Sequence, residues 1–180
     1  IEKLVHKIQF DSLKADLKIW TMNESHDLLK GAILAAKYQY PDLDEQTVLK
    51  QIDAVKRDAW LELSPKLTAL EKVRVLNHII FEVHGFSGNT TNFHAPQNSY
   101  LNIVLESRRG NPLSLSILYI IIAHQLDIPI YGVNLPEHFI LAYATEQTDL
   151  PVPINSKDEK VMFYINPFSK GTVFGKSEVD

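Results

Sequence analysis

Residues 98–143 read NSYLNIVLESRRGNPLSLSILYIIIAHQLDIPIYGVNLPEHFILAY, and a change of hydrophobic period inside this stretch decides the fold. From Leu113 to Leu126 nearly every residue is apolar. A surface helix keeps a polar face, so this segment is expected as a helix buried at the centre of a domain. Asn111 and Pro112 supply its start: Asn can satisfy the first free N–H groups, and Pro at the first helical position gives up an N–H that would have had no partner. After Pro129 the period falls to two. Residues 130–134, 138–143 and 161–166 read as strands rich in β-branched and aromatic side chains, with a polar excursion over 145–159 between the last two.

Upstream, the chain reads as helices. Asn23 or Ser25 can cap a helix through Tyr40, in which Leu28, Leu29, Ala32, Ile33 and Ala36 recur at the spacing of one buried face before Pro41 ends it. Asp44 opens a second helix with Val48, Ile52, Val55 and Ala59 inside. Ser64 and Pro65 are read as the start of a third, running to about His84 and stopped by Gly85. Gly, Ser, Asn and Thr cluster over 85–96 as a loop, followed by a short helix over 97–106 and the turn Arg108, Arg109, Gly110. Helices first and consecutive strands afterwards indicate an α+β domain with an antiparallel sheet on the central helix. The division expected is a helical part over 1–96 and a core over 97–180, together forming one compact domain. The start at Ile1 and the polar tail over 175–180 fit a piece of a longer polypeptide.

The chain of 180 residues has 45% hydrophobic residues, a formal charge of −4, seven histidines and no cysteine. A charge of this sign and the lack of any basic run remove the field that attracts nucleic acid or anionic lipid. The apolar run over 113–123 is short of the roughly 20 residues that span a bilayer and lies mid-chain, where no signal peptide sits. A soluble, cytoplasmic protein is therefore expected. Without cysteine there is no disulfide framework, no thiolate metal site and no thiol nucleophile.

Between residues 98 and 171 an N-S-Y-L segment, an R-R-G-N-P turn into the apolar helix, a P-E-H-F strand and the N-P-F of FYINPFSKG follow in order. In that order and spacing they resemble the SirB-type branch of the transglutaminase-like superfamily. The likeness is close over about half the chain, and the helical first half is similar to that family's N-terminal part. It implies a papain-like fold in which a nucleophile at the N-terminus of the buried helix faces a His on the next strand and an Asn or Asp on the one after. On that pattern His138 matches the histidine and Asn166 the orienting residue. The physics suits the layout, since a helix N-terminus stabilises a developing anion and an Asn carbonyl can hold an imidazole.

The nucleophile's place falls between Pro112 and Ser114, and no thiol stands there. Ser114 is the residue that a serine-dependent hydrolase or acyltransferase would use, activated by His138. Ser114 and Ser116 sit two apart in the first turns, so at most one points at His138, and both are equally read as cap and lining residues. His138 has a plain reading as a core histidine, and Asn166 as a turn residue before Pro167. Glu137 stands where the family has a small residue; it can raise the pKa of His138 or point into solvent. Arg108 and Arg109 can grip a carboxylate or phosphate, or serve as dipole and solvent contacts at a helix end. His78 and His84 lie about 240° apart around one helix and cannot share a ligand face, so no metal or other cofactor is expected. The leading expectation is a transglutaminase-like domain without the nucleophilic cysteine, regulatory in role, whose cleft of Tyr100, Ser114, His138 and Asn166 holds a peptide or protein partner. Its rivals are the serine enzyme and a structural module whose helical half docks another domain.

Overall fold

The computed structural model describes residues 2–23, 27–136, 138–145 and 160–178. Ser25, Glu137 and most of the polar excursion after Thr145 lie outside them. The described residues form six α-helices ahead of the main sheet: α1 (Glu2–Met22), α2 (Leu28–Gln39), α3 (Glu45–Glu62), α4 (Ala69–Asn77), α5 (Leu101–Ser107) and α6 (Pro112–His124). A two-stranded parallel ladder joins β1 (Ser87–Gly88) to β2 (Arg109–Gly110). An antiparallel sheet follows in the order β3 (Ile130–Leu135), β4 (His138–Ala144), β5 (Val161–Asn166) and β6 (Thr172–Phe174).

The helix starts obey side-chain capping, at positions the sequence only partly indicates. Asp44 accepts from the Gln46 N–H at 3.1 Å and begins α3 as expected. The cap of α2 is Asp27, which accepts from the Lys30 N–H, and α1 ahead of it is a helix that periodicity did not single out. Ser64 and Pro65 precede a turn and do not start α4. The reciprocal box of Thr68 and Glu71 starts it instead, because each side chain satisfies the other's free N–H. At its far end α4 passes into a π-helical turn, His78–Val83, before Gly85 at φ +70°.

Nine of the 13 residues of α6 are buried, so the expected central helix is present. β3 and β4 cover one side of it, while Val48, Ile52, Val55, Val73, Leu76 and Ile80 from α3, α4 and the π-turn join the same apolar cluster. Side-chain alternation splits the sheet into two faces. Ile130, Phe139, Leu141, Tyr143 and Ile165 pack toward α6, and Val133, Ile140, Ala142, Val161 and Tyr164 form a second cluster on the other face.

Two polar contacts tie the sheet to the helical half. Tyr119, fully buried on α6, donates to Asn77 Oδ1 at 2.9 Å, and Asn77 Nδ2 donates to the Gly171 carbonyl at 2.8 Å. Gly171 has φ +73°, and a Cβ there would collide with the Asn77 carboxamide. Gly85 shares the left-handed backbone but faces open space. Gly85→Ala is therefore expected to cost only the strain of that conformation, about 1–2 kcal/mol. Gly171→Ala should cost clearly more, read as a larger drop in the urea midpoint.

His124 closes the other end of α6, with Nε2 2.7 Å from the Ile130 carbonyl. Burial holds its pKa below the ordinary histidine value, outweighing the opposite pull of that carbonyl. The unfolded chain then binds the proton more readily than the folded one, so this contribution to stability is full above about pH 6.5 and is lost on acidification below it. Between about pH 7.5 and 5.5 the native protein should lose more stability in denaturant titrations than His124→Gln, whose side chain keeps a donor and cannot titrate.

Candidate functional site

The N-terminus of α6 is built from its own sequence. Asn111 Oδ1 accepts from the Ser114 N–H at 2.8 Å, and Ser114 Oγ accepts from the Asn111 N–H at 3.0 Å, a reciprocal capping box. The Ser114 hydroxyl then donates to the Asn98 carbonyl at 2.6 Å, and Asn111 Nδ2 donates to Ser99 Oγ at 2.9 Å. Gly110 is needed beneath this box, since a Cβ would stand 2.7 Å from Ser114 Oγ.

Asn98 holds the segment in front of the helix. Its side chain is 4% exposed, donates to the Asn92 and Phe93 carbonyls at 2.7 and 3.1 Å, and accepts from Asn89 Nδ2 at 2.9 Å. The Asn89 N–H in turn donates to the Gly110 carbonyl at 2.9 Å. Phe93 stacks edge-on against Phe168, with ring centroids 5.7 Å apart. The loop over 89–99 is thereby pinned as one wall facing the β3–β4 hairpin. Between the walls lies an open groove of about 520 Å³, lined by Phe93, His94 and Ser99 on one side, Asn111, Pro112 and Leu113 at the helix, and Asn134, Leu135, His138 and Phe139 on the other.

The groove takes up only part of the sequence-derived set. His138 is there, exposed at the start of β4. Its alternation partners are Ile140 and Ala142, on the sheet face away from α6, whereas Phe139 packs toward the helix cluster. Ser114 lies under the groove, 2% exposed, with its hydroxyl engaged as described. Asn166 Oδ1 accepts from the N–H groups of Phe168 and Ser169 at 3.1 and 3.3 Å, capping the turn after β5. Among the described residues no hydrogen bond joins His138 to Asn166 or to Ser114.

Tyr100 packs edge-on against Tyr40, with centroids 5.4 Å apart, and is not a groove residue. Ser116 is fully buried in α6, and its hydroxyl has no hydrogen-bond partner. The Arg108 guanidinium sits 4.6 Å over the Phe86 ring, and burial lowers its pKa; Arg109 bonds Ser87. Neither arginine lines the groove. Glu137 is outside the described residues. His78 and His84 each meet a carboxylate, Glu82 at 2.8 Å and Asp58 at 3.0 Å. A larger cavity of about 690 Å³ beside α1 is lined by Ile8, Phe10, Leu13, Tyr38 and Leu43 among others, and none of its described lining residues is a histidine.

Three groove-building residues escaped the sequence reading. Asn98 begins the N-S-Y-L word, yet its side chain carried no assigned role, although the density of Asn at 89, 92 and 98 marks a segment that hydrogen-bonds its own backbone. His94 carried no assigned role. Leu113 lies in the stretch from Pro112 to Ser114 on which counting for the nucleophile lands, and it is 46% exposed. Removing the Asn98 side chain leaves its partner groups in the loop unpaired, so Asn98→Ala should cost about 1–3 kcal/mol. Amide hydrogen exchange should then speed up over residues 89–95 and leave the middle of α6 protected.

The family model described as the transglutaminase-like superfamily matches residues 46–180. A UPF0162 protein of Xylella fastidiosa is 38% identical over 122 residues, 66% of this chain and 42% of that protein. A UPF0162 protein of Pseudomonas aeruginosa is 31% identical over 114 residues, 63% of this chain and 42% of that protein. Human F-box only protein 21 is 33% identical over 96 residues, 53% of this chain and 14% of that protein. The chain thus spans less than half the length of these relatives. No solved structure matches it.

Proposed function

We propose that this chain, which belongs to the transglutaminase-like superfamily, is of the SirB-type branch and serves as a non-catalytic module that holds a peptide or protein segment in the groove at the N-terminus of α6. The observation that carries the reading is the side chain at the helix start. Leu113, half-exposed between Pro112 and the buried Ser114, is presented to the groove within the stretch where the family resemblance implies a nucleophile. A hydrocarbon attacks nothing, and the chain has no cysteine to supply a thiolate from elsewhere.

The serine alternative meets a second obstacle. A nucleophilic hydroxyl must hand its proton to a base, and the Ser114 proton is committed to the Asn98 carbonyl while its lone pair receives the Asn111 N–H. Freeing it would break the bond that ties the start of the central helix to the loop in front of it. Binding asks for less: apolar surface, shape and a few hydrogen-bond partners. Phe93, Pro96, Pro112, Leu113, Leu135 and Phe139 supply the apolar part, and Ser99, Asn134, His94 and His138 the polar rim. Among the described residues that line the groove none is Asp, Glu, Lys or Arg, which favours an uncharged segment over an acidic or basic one.

The test is direct. A fluorophosphonate probe should leave Ser114 unlabelled, casein with an amine donor should not be cross-linked, and esters should not be turned over above background. Labelling that disappears in Ser114→Ala, or ester turnover that disappears in His138→Ala, would establish the serine enzyme in place of the binding module.

A further inference from the structure

Among the described residues the antiparallel sheet ends on β3, which has a neighbouring strand on one side only. The register fixes which of its peptide groups face outward. The Ala144 N–H donates to the Pro129 carbonyl at 2.9 Å, and this pair continues the ladder in which Ile130 stands opposite Tyr143. Antiparallel ladders alternate hydrogen-bonded and non-hydrogen-bonded pairs. Tyr131, Val133 and Leu135 therefore direct their N–H and C=O groups at β4, and Ile130, Gly132 and Asn134 direct theirs away. The outward carbonyl of Ile130 is already engaged by the His124 ring, which agrees with this assignment. Gly132 and Asn134 remain.

Free edges are ordinarily blunted by a charged side chain, a proline or a bulge. β3, reading IYGVNL, has no charge and no proline, and the one register shift in the sheet lies between β4 and β5. Asn134 is exposed and is itself a groove residue, so the edge runs directly into the groove. Resting on the binding role proposed above, we infer that the β3 edge and the groove form one site, to which an extended peptide adds as a further strand at Gly132 and Asn134. It lays an uncharged, apolar side chain against Leu113 and Phe139. An extended backbone is the occupant that matches alternating outward donors and acceptors. A helix has none to offer there, and a second copy pairing edge to edge would leave the groove empty.

The test uses an arrayed set of short synthetic peptides with one apolar residue among neutral polar ones, screened on the whole chain, with the best binder measured by fluorescence anisotropy. Methylating alternate backbone nitrogens of that peptide should weaken binding about tenfold at the positions that pair, with little change at those between. Asn134→Pro removes an outward N–H without touching the β3–β4 ladder, and at unchanged circular dichroism it should weaken binding to a similar degree. If Asn134→Pro does not fold, the methylation series decides alone. A peptide displaced by Leu113→Asp but indifferent to methylation phase and to Asn134→Pro overturns strand addition and leaves the binding role standing. No binding peptide at all overturns both. Self-association abolished by Asn134→Pro, with no peptide bound, assigns the edge to a second copy and overturns the inference.

Discussion

The structure depends on satisfying the N-terminus of an almost wholly apolar helix. Its first N–H groups have no intrahelical partner. An unpaired buried donor costs about 1–3 kcal/mol, so the chain must provide acceptors of its own. Asn111 and Ser114 provide them reciprocally, Pro112 removes one donor outright, and the spare proton on Ser114 reaches the Asn98 carbonyl. That last bond connects the helix start to the loop in front of it. Asn98 then fixes the loop through the Asn92 and Phe93 carbonyls, and the groove wall follows.

The same solution supports the binding role proposed for the groove. Where a papain-like enzyme places a nucleophile at a helix start to use the local dipole, this chain uses the available hydroxyl to hold the helix start together. A serine side chain has one proton to donate and lone pairs to accept with, and both functions are in use at Ser114. Asn166 is occupied in a parallel way, its side-chain carbonyl capping the turn into β6. What remains at the surface is a Leu, two prolines, aromatic rings and uncharged polar groups around a groove, with a sheet edge running into it.

Much of the framework was legible in residues. The unbroken apolar circumference of α6 required central burial, and Asn111 with Pro112 marked its start. The alternation after Pro129 marked three strands, and the Asp44 cap marked α3. Less legible were α1 and the start of α4, because Pro65 and Thr68 both carry start signals three residues apart and only the reciprocal bonds with Glu71 select the second. His138 was legible as a groove residue from the order of the sequence words, but the face it leaves the sheet from was not, since a period of two fixes which residues share a face and not which face meets the helix.

The sequence by itself determined the class of fold, the identity and centrality of the buried helix, and the absence of a thiol. Those are local matters of periodicity, capping chemistry and composition. Tertiary structure alone decided that the Ser114 proton goes to Asn98, 16 residues away, that Leu113 is the side chain presented to the groove, and that Gly132 and Asn134 turn their peptide groups outward. Each of these follows from which distant backbone groups are left needing a partner once the helix and the sheet have packed, and a one-dimensional pattern does not carry that information.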